Sequence, residues 1–315
     1  MNTKLLTSFD ALILTGPTGV GKSHLAIQIA DHIPAEIISM DSRLVYRRMD
    51  IGTDKPTREE RLNVPHHLID IVDPGERFTV ADFSTSCQRL VEEIRGRGRF
   101  PVIVGGTCMY LHALREGYNF CGADSDAAHR RQLASELKEK GSPAMHSKLQ
   151  QIDPAAANKI HPNDEYRILR AMEIYHLTGS PPSKLRNQEG EITKPRFRYL
   201  TVALFMLRKI LYEKINKRVD TIYNMGLINE TEELMGNFPE AVDWLSGVIG
   251  YSQAKGVIEG KKSKEEAIDE TKKETRHFAR RQMIWFRRLR DIVWIYADGK
   301  GGADMLCEIR SAANY

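Results

Sequence analysis

Lys22, flanked by the hydroxyl of Ser23 and preceded by three glycines, is the side chain in this sequence best equipped to hold an anion. The octet Gly16, Pro17, Thr18, Gly19, Val20, Gly21, Lys22 and Ser23 ("GPTGVGKS") fits the P-loop spacing. In that pattern backbone N–H groups cradle a diphosphate, the lysine reaches its oxygens and the serine can ligate Mg²⁺. The context is the one the motif needs: the apolar run "ALILT" comes before it, and Leu25, Ile29 and Ile33 follow at helical spacing. A helix N-terminus then faces the anion. The motif alone does not say which molecule carries the phosphates.

Three further positions bear on chemistry. Asp41, beside Ser42 at the end of the β-rich run "AEIISMDS", could ligate Mg²⁺ through water or take a proton from a nucleophile. The alternative is a loop aspartate closing an Asx turn. Thr107 ends "VGGT", where many P-loop NTPases carry an aspartate, and the glycines there weaken an NTPase reading. Arg218, with Arg208 upstream on an expected helix whose Ile215, Val219 and Ile222 point inward, could swing to a diphosphate that its guanidinium matches bidentately. His66 and His67 are adjacent, a poor arrangement for one metal ion, so a structural or substrate-shaping role is expected.

Cations cluster in two places. Arg167 and Arg170 share a helix face while Ile168, Met172 and Tyr175 point into the packing. Later, "KKETRHFARRQMIWFRRLR" sets Lys272, Lys273, Arg276, Arg280, Arg281, Arg287, Arg288 and Arg290 around Phe278, Trp285 and Phe286, with Glu274 the only acid. Such a stretch suits a polyphosphate backbone, or else is a solvated helix face with its aromatics in the core. With the arginines of the middle segment, nucleic acid is the better reading.

The elements that must position these residues follow from patterning. The chain has 315 residues, 41% hydrophobic and 28% charged, enough for a sizeable core and one or two domains. Net charge +4 and a pI near 8.7 are mild. Four cysteines without paired spacing, Cys87, Cys108, Cys121 and Cys307, indicate neither a zinc site nor a disulfide framework. "MNTKLLTSFD" lacks a long apolar core and no segment approaches bilayer length, so a cytoplasmic protein free of membrane is expected. "FTVADFSTSCQRLVEEIRGRGRF" reads as an amphipathic helix with Phe83, Cys87, Leu90, Val91 and Ile94 inward, and "PVIVGGT" as a buried strand. Alternating strands and helices predict an α/β fold, a P-loop NTPase-like parallel sheet flanked by helices. The P-loop, Asp41 and Thr107, each just after a strand, should then meet at one edge. From residue 124 the pattern turns helical, giving an inserted helical domain over 124–197 between core segments 1–123 and 198–315. The insertion ends in "GSPPSKLRNQEGEITKPRFR", a linker or long loop. "YLTVALFML" completes the sheet and helices fill the rest.

The blocks "GPTGVGKS", "ISMDSRLVYRRMDIGTDKP", "PHHLID", "VGGT", "HPNDEYRILRAMEIY", "RVDTIYNMGL", "GVIGY" and "RRQMIWFR" occur in this order, and over nearly its whole length the chain resembles the tRNA dimethylallyltransferase family. The resemblance implies transfer of a dimethylallyl group from dimethylallyl diphosphate to N6 of the adenosine next to the anticodon. The loop would thus cradle a prenyl diphosphate. It makes Asp41 the general base, Thr107 a reaction-channel residue, Arg218 a diphosphate ligand and Thr18 to Ser23 the cradle, with Mg²⁺ near Ser23. Contacts to tRNA are implied for Asp41, Ser42, Arg43 and Leu44, for Arg130, for Tyr166, Arg167, Ile168, Leu169 and Arg170 in the insertion, and for Gly247, Gly250, Tyr251 and Ser252. Arg281, in the basic stretch, is expected to join them. Leu44 stands where many members have glutamine, and Ser252 where many have a basic residue. The implied partners are tRNA, through its anticodon stem-loop, and the prenyl donor, with the chain a monomer. The nearest rival is an adenylate isopentenyltransferase acting on free nucleotide; a nucleotide kinase and a non-catalytic RNA-binding protein are the others.

Overall fold

The computed structural model describes residues 8–116, 126–188 and 195–312. In chain order, β1 (Ala11–Thr15), α1 (Lys22–Ala30), β2 (Ala35–Ser39), α2 (Arg58–Asn63), β3 (His66–His67), α3 (Val80–Gly96), β4 (Phe100–Val104) and α4 (Cys108–Glu116) come first. A helical stretch follows: α5 (Ala127–Ile152), α6 (Pro154–Ala157), α7 (Glu165–Thr178) and α8 (Pro182–Gln188). The chain then returns through β5 (Tyr199–Phe205), α9 (Arg208–Asn224), α10 (Leu227–Asn237), α11 (Val242–Leu245), α12 (Tyr251–Ile258), α13 (Lys264–Phe286), β6 (Val293–Tyr296) and α14 (Gly302–Ala312).

The strands form one six-stranded sheet in the order β3-β2-β4-β1-β5-β6, with every pair parallel. β1 lies inside it, and every residue of its "ALILT" is buried because helices cover both faces. Period-two alternation divides that strand between two cores. Leu12 and Leu14 join Leu25, Ile29, Ile215 and Val219 on one face. Ala11 and Ile13 join Phe83, Val91, Leu111 and Phe286 on the other. α3 packs by the expected stripe, with Phe83, Cys87, Leu90, Val91 and Ile94 all buried. A capping box opens it, in which the Thr79 hydroxyl accepts from the Asp82 N–H and the Asp82 carboxylate accepts from the Thr79 N–H.

Contacts divide the chain into two units, Met1–Arg115 with Pro195–Tyr315, and Glu116–Lys194. The second has its own core, in which Leu133, Met145, Leu149, Ile168 and Met172 pack together. Its long helix α5 is broken at Gly141, whose φ of 77° is open to glycine, just before Pro143.

Three expectations need correction. Helices do not fill everything after β5: the half-buried "VWIY" of β6 pairs with β5 as an edge strand. The linker is helical over α8, where the Asp153 carboxylate accepts from the Ser183 N–H and hydroxyl; residues 189–194 lie outside the described residues. Tyr175 does not point into the packing, since it is exposed.

His67 serves the sheet edge. Its ring nitrogen meets the Glu36 carboxylate of β2 at 2.7 Å, and Arg97 donates to both Glu36 oxygens at 3.2 and 2.8 Å. Burial raises the affinity of Glu36 for a proton, but the hydrogen bonds from Arg97 and His67 outweigh it and hold the carboxyl below its usual range. A carboxyl depressed in the folded state contributes stability that is full above its unfolded pKa, roughly 4.3, and is lost as pH falls through the folded value. Glu36→Gln should therefore cost about 2 kcal/mol at pH 7. In urea titrations the gap between wild type and variant should narrow below about pH 4.

Candidate functional site

The P-loop leaves β1 at Thr15 and enters α1 at Lys22, the alternation of strand and helix the sheet imposes. The N-cap of α1 is Gly21, in the left-handed region with φ 99°, so no side chain caps the first amides, and no acid sits in the first turn. Helix-start N–H groups without a cap are donors waiting for an anion. Lys22 bends back over the loop, its Nζ donating to the carbonyls of Gly16 at 3.0 Å and Pro17 at 2.9 Å. Desolvation pulls its pKa down to about 8; the Asp41 charge opposes that and the Arg218 charge adds to it. The three groups therefore feel one another. The Ser23 residue is exposed at the same helix start.

Asp41 and Thr107 meet at the ends of adjacent strands, as the parallel sheet requires. Met40 N–H donates to the Val104 carbonyl at 2.7 Å, extending the β2–β4 ladder one residue before the chain turns. Asp41 Oδ1 then accepts from the Arg43 N–H at 2.8 Å, so Asp41 does close the Asx turn that was the alternative to a chemical role. The turn orients the carboxylate without consuming both oxygens. The Thr107 hydroxyl accepts from the Ser42 N–H at 3.1 Å. "VGGT" is glycine-rich for a steric reason. A Cβ on Gly105 would lie 2.1 Å from the Met40 carbonyl oxygen, and one on Gly106 would lie 2.5 Å from Gln282 Nε2.

Gln282 itself was not singled out in the sequence. Its Oε1 accepts from the Thr18 N–H at 2.9 Å and its Nε2 donates to the Gly106 carbonyl at 2.8 Å, joining the P-loop to the end of β4 from α13. It is 4% exposed. The available signal was a polar residue on the inward stripe formed by Ala279, Gln282 and Phe286, hidden among cations.

Arg218, on α9, donates from Nη1 to the Thr18 hydroxyl at 3.0 Å and from Nη2 to the Thr53 carbonyl at 3.2 Å, and its Nε lies 3.1 Å from Asp54 Oδ2. The loop that presents Thr53 and Asp54 is fixed from two sides. The Glu230 carboxylate accepts from the N–H groups of Asp50, Ile51 and Gly52 and from the Tyr251 hydroxyl. Lys55 Nζ donates to the Tyr46 carbonyl and to the carboxylates of Asp50 and Asp70. Neither Glu230 nor Asp54 was legible as part of the site, because their partners are 178 to 180 and 164 positions away in sequence.

The residues expected at a nucleic-acid surface separate by exposure. Tyr166 is 70% exposed, and Arg167, Gly247 and Arg281 are also exposed. Ser42, Arg43, Leu44, Arg130, Leu169, Arg170 and Ser252 are half-buried. Arg170 Nη1 donates to Glu173, and the Arg43 guanidinium stacks 4.9 Å above the Trp244 ring. Three of the expected residues are buried. Ile168 is fully inside the helical unit's core, Tyr251 is fully buried with its hydroxyl committed to Glu230, and Gly250 is buried at the α12 cap. Their side chains or surfaces support the fold and do not face solvent. Along α13, Lys272 pairs with Asp220 and Arg276 with Asn216, both on α9, so they brace the helices. Arg280, Arg281, Arg287, Arg288 and Arg290 are exposed with no ion pair among the described residues.

Among the described residues no cluster of three His, Cys, Asp or Glu side chains could hold a metal ion, and no helix is long and apolar enough to cross a membrane.

Comparison with known proteins places this geometry. The pattern of the IPP transferase family matches residues 44–289. The tRNA dimethylallyltransferase of Carboxydothermus hydrogenoformans is 44% identical over 94% of this chain and 94% of its own, and that of Shouchella clausii is 41% identical over 93% of each. The crystal structure of a Bacillus halodurans tRNA isopentenylpyrophosphate transferase superposes with a TM-score of 0.67 at 38% identity, covering 96% of this chain and 95% of that one. A eukaryotic dimethylallyltransferase acting on tRNA superposes with a TM-score of 0.79 at 30% identity, over 94% of this chain and 77% of that one. With likeness of sequence and of fold both running nearly end to end, the chain belongs to the IPP transferase family.

Proposed function

We propose that this chain is a cytoplasmic tRNA dimethylallyltransferase, moving the dimethylallyl group of dimethylallyl diphosphate to N6 of the adenosine on the 3′ side of the anticodon. The observation that carries the reading is the meeting, at the carboxyl ends of β1, β2 and β4, of an uncapped helix start with Lys22 and Arg218 on one side and Asp41 on the other.

The chemistry asks for both halves. The adenine amino group is a weak nucleophile because its lone pair is delocalised into the ring, so removing its proton as the bond forms lowers the barrier. Asp41, held by its Asx turn, takes that proton. The N6–carbon bond forms and the allylic carbon–oxygen bond breaks, its bonding pair leaving on the diphosphate. Lys22, Arg218 and the free amides of the α1 start neutralise the departing charge. The target base has to leave its stack to be reached. The exposed cations of α13 and of the helical unit serve the phosphates of the anticodon arm.

The Ser23 hydroxyl, exposed at the α1 start, is a donor that Mg²⁺ fits. With no carboxylate cage among the described residues, the ion would be held by the Ser23 hydroxyl, the diphosphate oxygens and water, the ligation magnesium favours in phosphate sites. When bound it supplies Lewis-acid stabilisation of the leaving diphosphate.

The rival on free nucleotide is separated by offering the protein an anticodon stem-loop and AMP side by side with the prenyl donor and Mg²⁺. Mass spectrometry should find the dimethylallyl group on the stem-loop; modification of AMP alone would replace the assignment. Asp41→Ala should lose about a thousandfold in transfer rate, as expected for loss of a general base, while stem-loop affinity in a filter-binding assay stays within about threefold. The free-enzyme pKa of Lys22 near 8 has a kinetic consequence. A neutral Lys22 holds the donor less well, so kcat/KM for dimethylallyl diphosphate should decline above about pH 8, approaching tenfold per pH unit, in a profile taken at constant ionic strength.

A further inference from the structure

Asp54 supplies the one anion that touches Arg218 among the described residues; the guanidinium's other two acceptors, the Thr18 hydroxyl and the Thr53 carbonyl, are neutral. The pairing is neither buried nor loose. The Asp54 carboxylate is 60% exposed and the Arg218 side chain 30%, so the carboxylate keeps much of its hydration and separating the pair costs little. Its backbone, by contrast, is held. Asp54 sits in the left-handed region at φ 55°, inside a turn closed by Asp54 N–H to Ile51 O and Lys55 N–H to Asp50 O, both at 3.0 Å. Glu230 and Lys55 pin that turn from either side. The charge therefore stays near the guanidinium even when the ion pair opens.

We propose that Asp54 is the resident counter-ion of Arg218, released to solvent when a diphosphate enters, and that its fixed charge limits how tightly the site retains diphosphate. The inference rests on the diphosphate reading of the P-loop given above. An incoming phosphate oxygen that reaches Arg218 both displaces the Asp54 carboxylate and lies beside it. Like charges at that separation repel, and the repulsion grows with the charge of the ligand. Inorganic pyrophosphate departs with one more negative charge than the prenyl ester from which it came, and Lys22 and Arg218 favour that fully ionised form in the site. Asp54 accordingly disfavours product more than substrate and hastens emptying of the pocket after transfer.

The test is calorimetric titration of the full chain with inorganic pyrophosphate, and separately with dimethylallyl diphosphate, at fixed ionic strength, with EDTA and again with Mg²⁺. Asp54→Asn removes the charge and keeps a residue that tolerates the left-handed backbone; Asp54→Gly removes the side chain without strain. Both variants should bind pyrophosphate roughly tenfold more tightly than wild type in EDTA, and the prenyl ester only about threefold more tightly, as expected for loss of one nearby carboxylate at near-surface dielectric. Pyrophosphate should become a correspondingly stronger product inhibitor. Unchanged or weaker pyrophosphate binding in EDTA overturns the proposal. So does tightening in EDTA that turns to weakening in Mg²⁺, which would make Asp54 a metal ligand. Lys22→Ala keeps this failure distinct from failure of the parent reading. If wild type binds no pyrophosphate, or Lys22→Ala binds it equally well, the diphosphate site itself is wrong and the proposal falls with it; if Lys22 is required but Asp54→Asn changes nothing, only the counter-ion role falls.

Discussion

Two cations confined in one partly desolvated pocket set the terms for everything around them. Lys22 and Arg218 repel each other, and burial adds to the cost of keeping Lys22 charged. The chain offsets this by turning carbonyls inward at Gly16, Pro17 and Thr53 and by bringing up the carboxylates of Asp41 and Asp54. In the proposed reaction a diphosphate would relieve the same strain, offering charge to both cations and oxygens to the amides of the α1 start.

Holding that pocket open requires connections from parts of the chain remote from the P-loop. Gln282 spans Thr18 and Gly106, and Glu230 carries a three-residue turn on one carboxylate. Gln282 is buried and Glu230 half-buried, where a lost polar partner leaves an expensive orphan. Tyr251 lends its hydroxyl to Glu230, and Gly52 is pressed so closely on the Tyr251 ring that a Cβ would come within 2.5 Å. Rigidity in the site is therefore a property of α10, α12 and α13 as much as of the loop itself.

Much of this was legible in the sequence, for identifiable reasons. Residues at strand ends were placed correctly because a parallel sheet brings all its carboxyl ends to one side, so Thr15, Met40 and Val104 fix where the P-loop, Asp41 and Thr107 begin. Periodicity was enough for α3 and α9, whose inward residues repeat at helical spacing. It failed for β6, where four apolar residues carry no period that distinguishes a strand from a helix turn. Ordered motif blocks picked out the stretches of Tyr251 and Ile168 but carried no sign that both side chains are buried. Asp54, Glu230 and Gln282 escaped because each acts through a partner at long sequence separation, and spacing rules see only local neighbours.

The tie between Thr18 and Gln282 crosses 264 positions. During synthesis β1 can pair with β4 early, since the two are separated by only about ninety residues, whereas its other neighbour β5 emerges much later. The N-terminal half can hence build its strands while the clasp that organises its anion cradle is still inside the ribosome. The clasp forms only after Gln282 has emerged, and a chain clipped before that residue would carry the whole glycine-rich loop yet lack the side-chain amide that tells it where to stand.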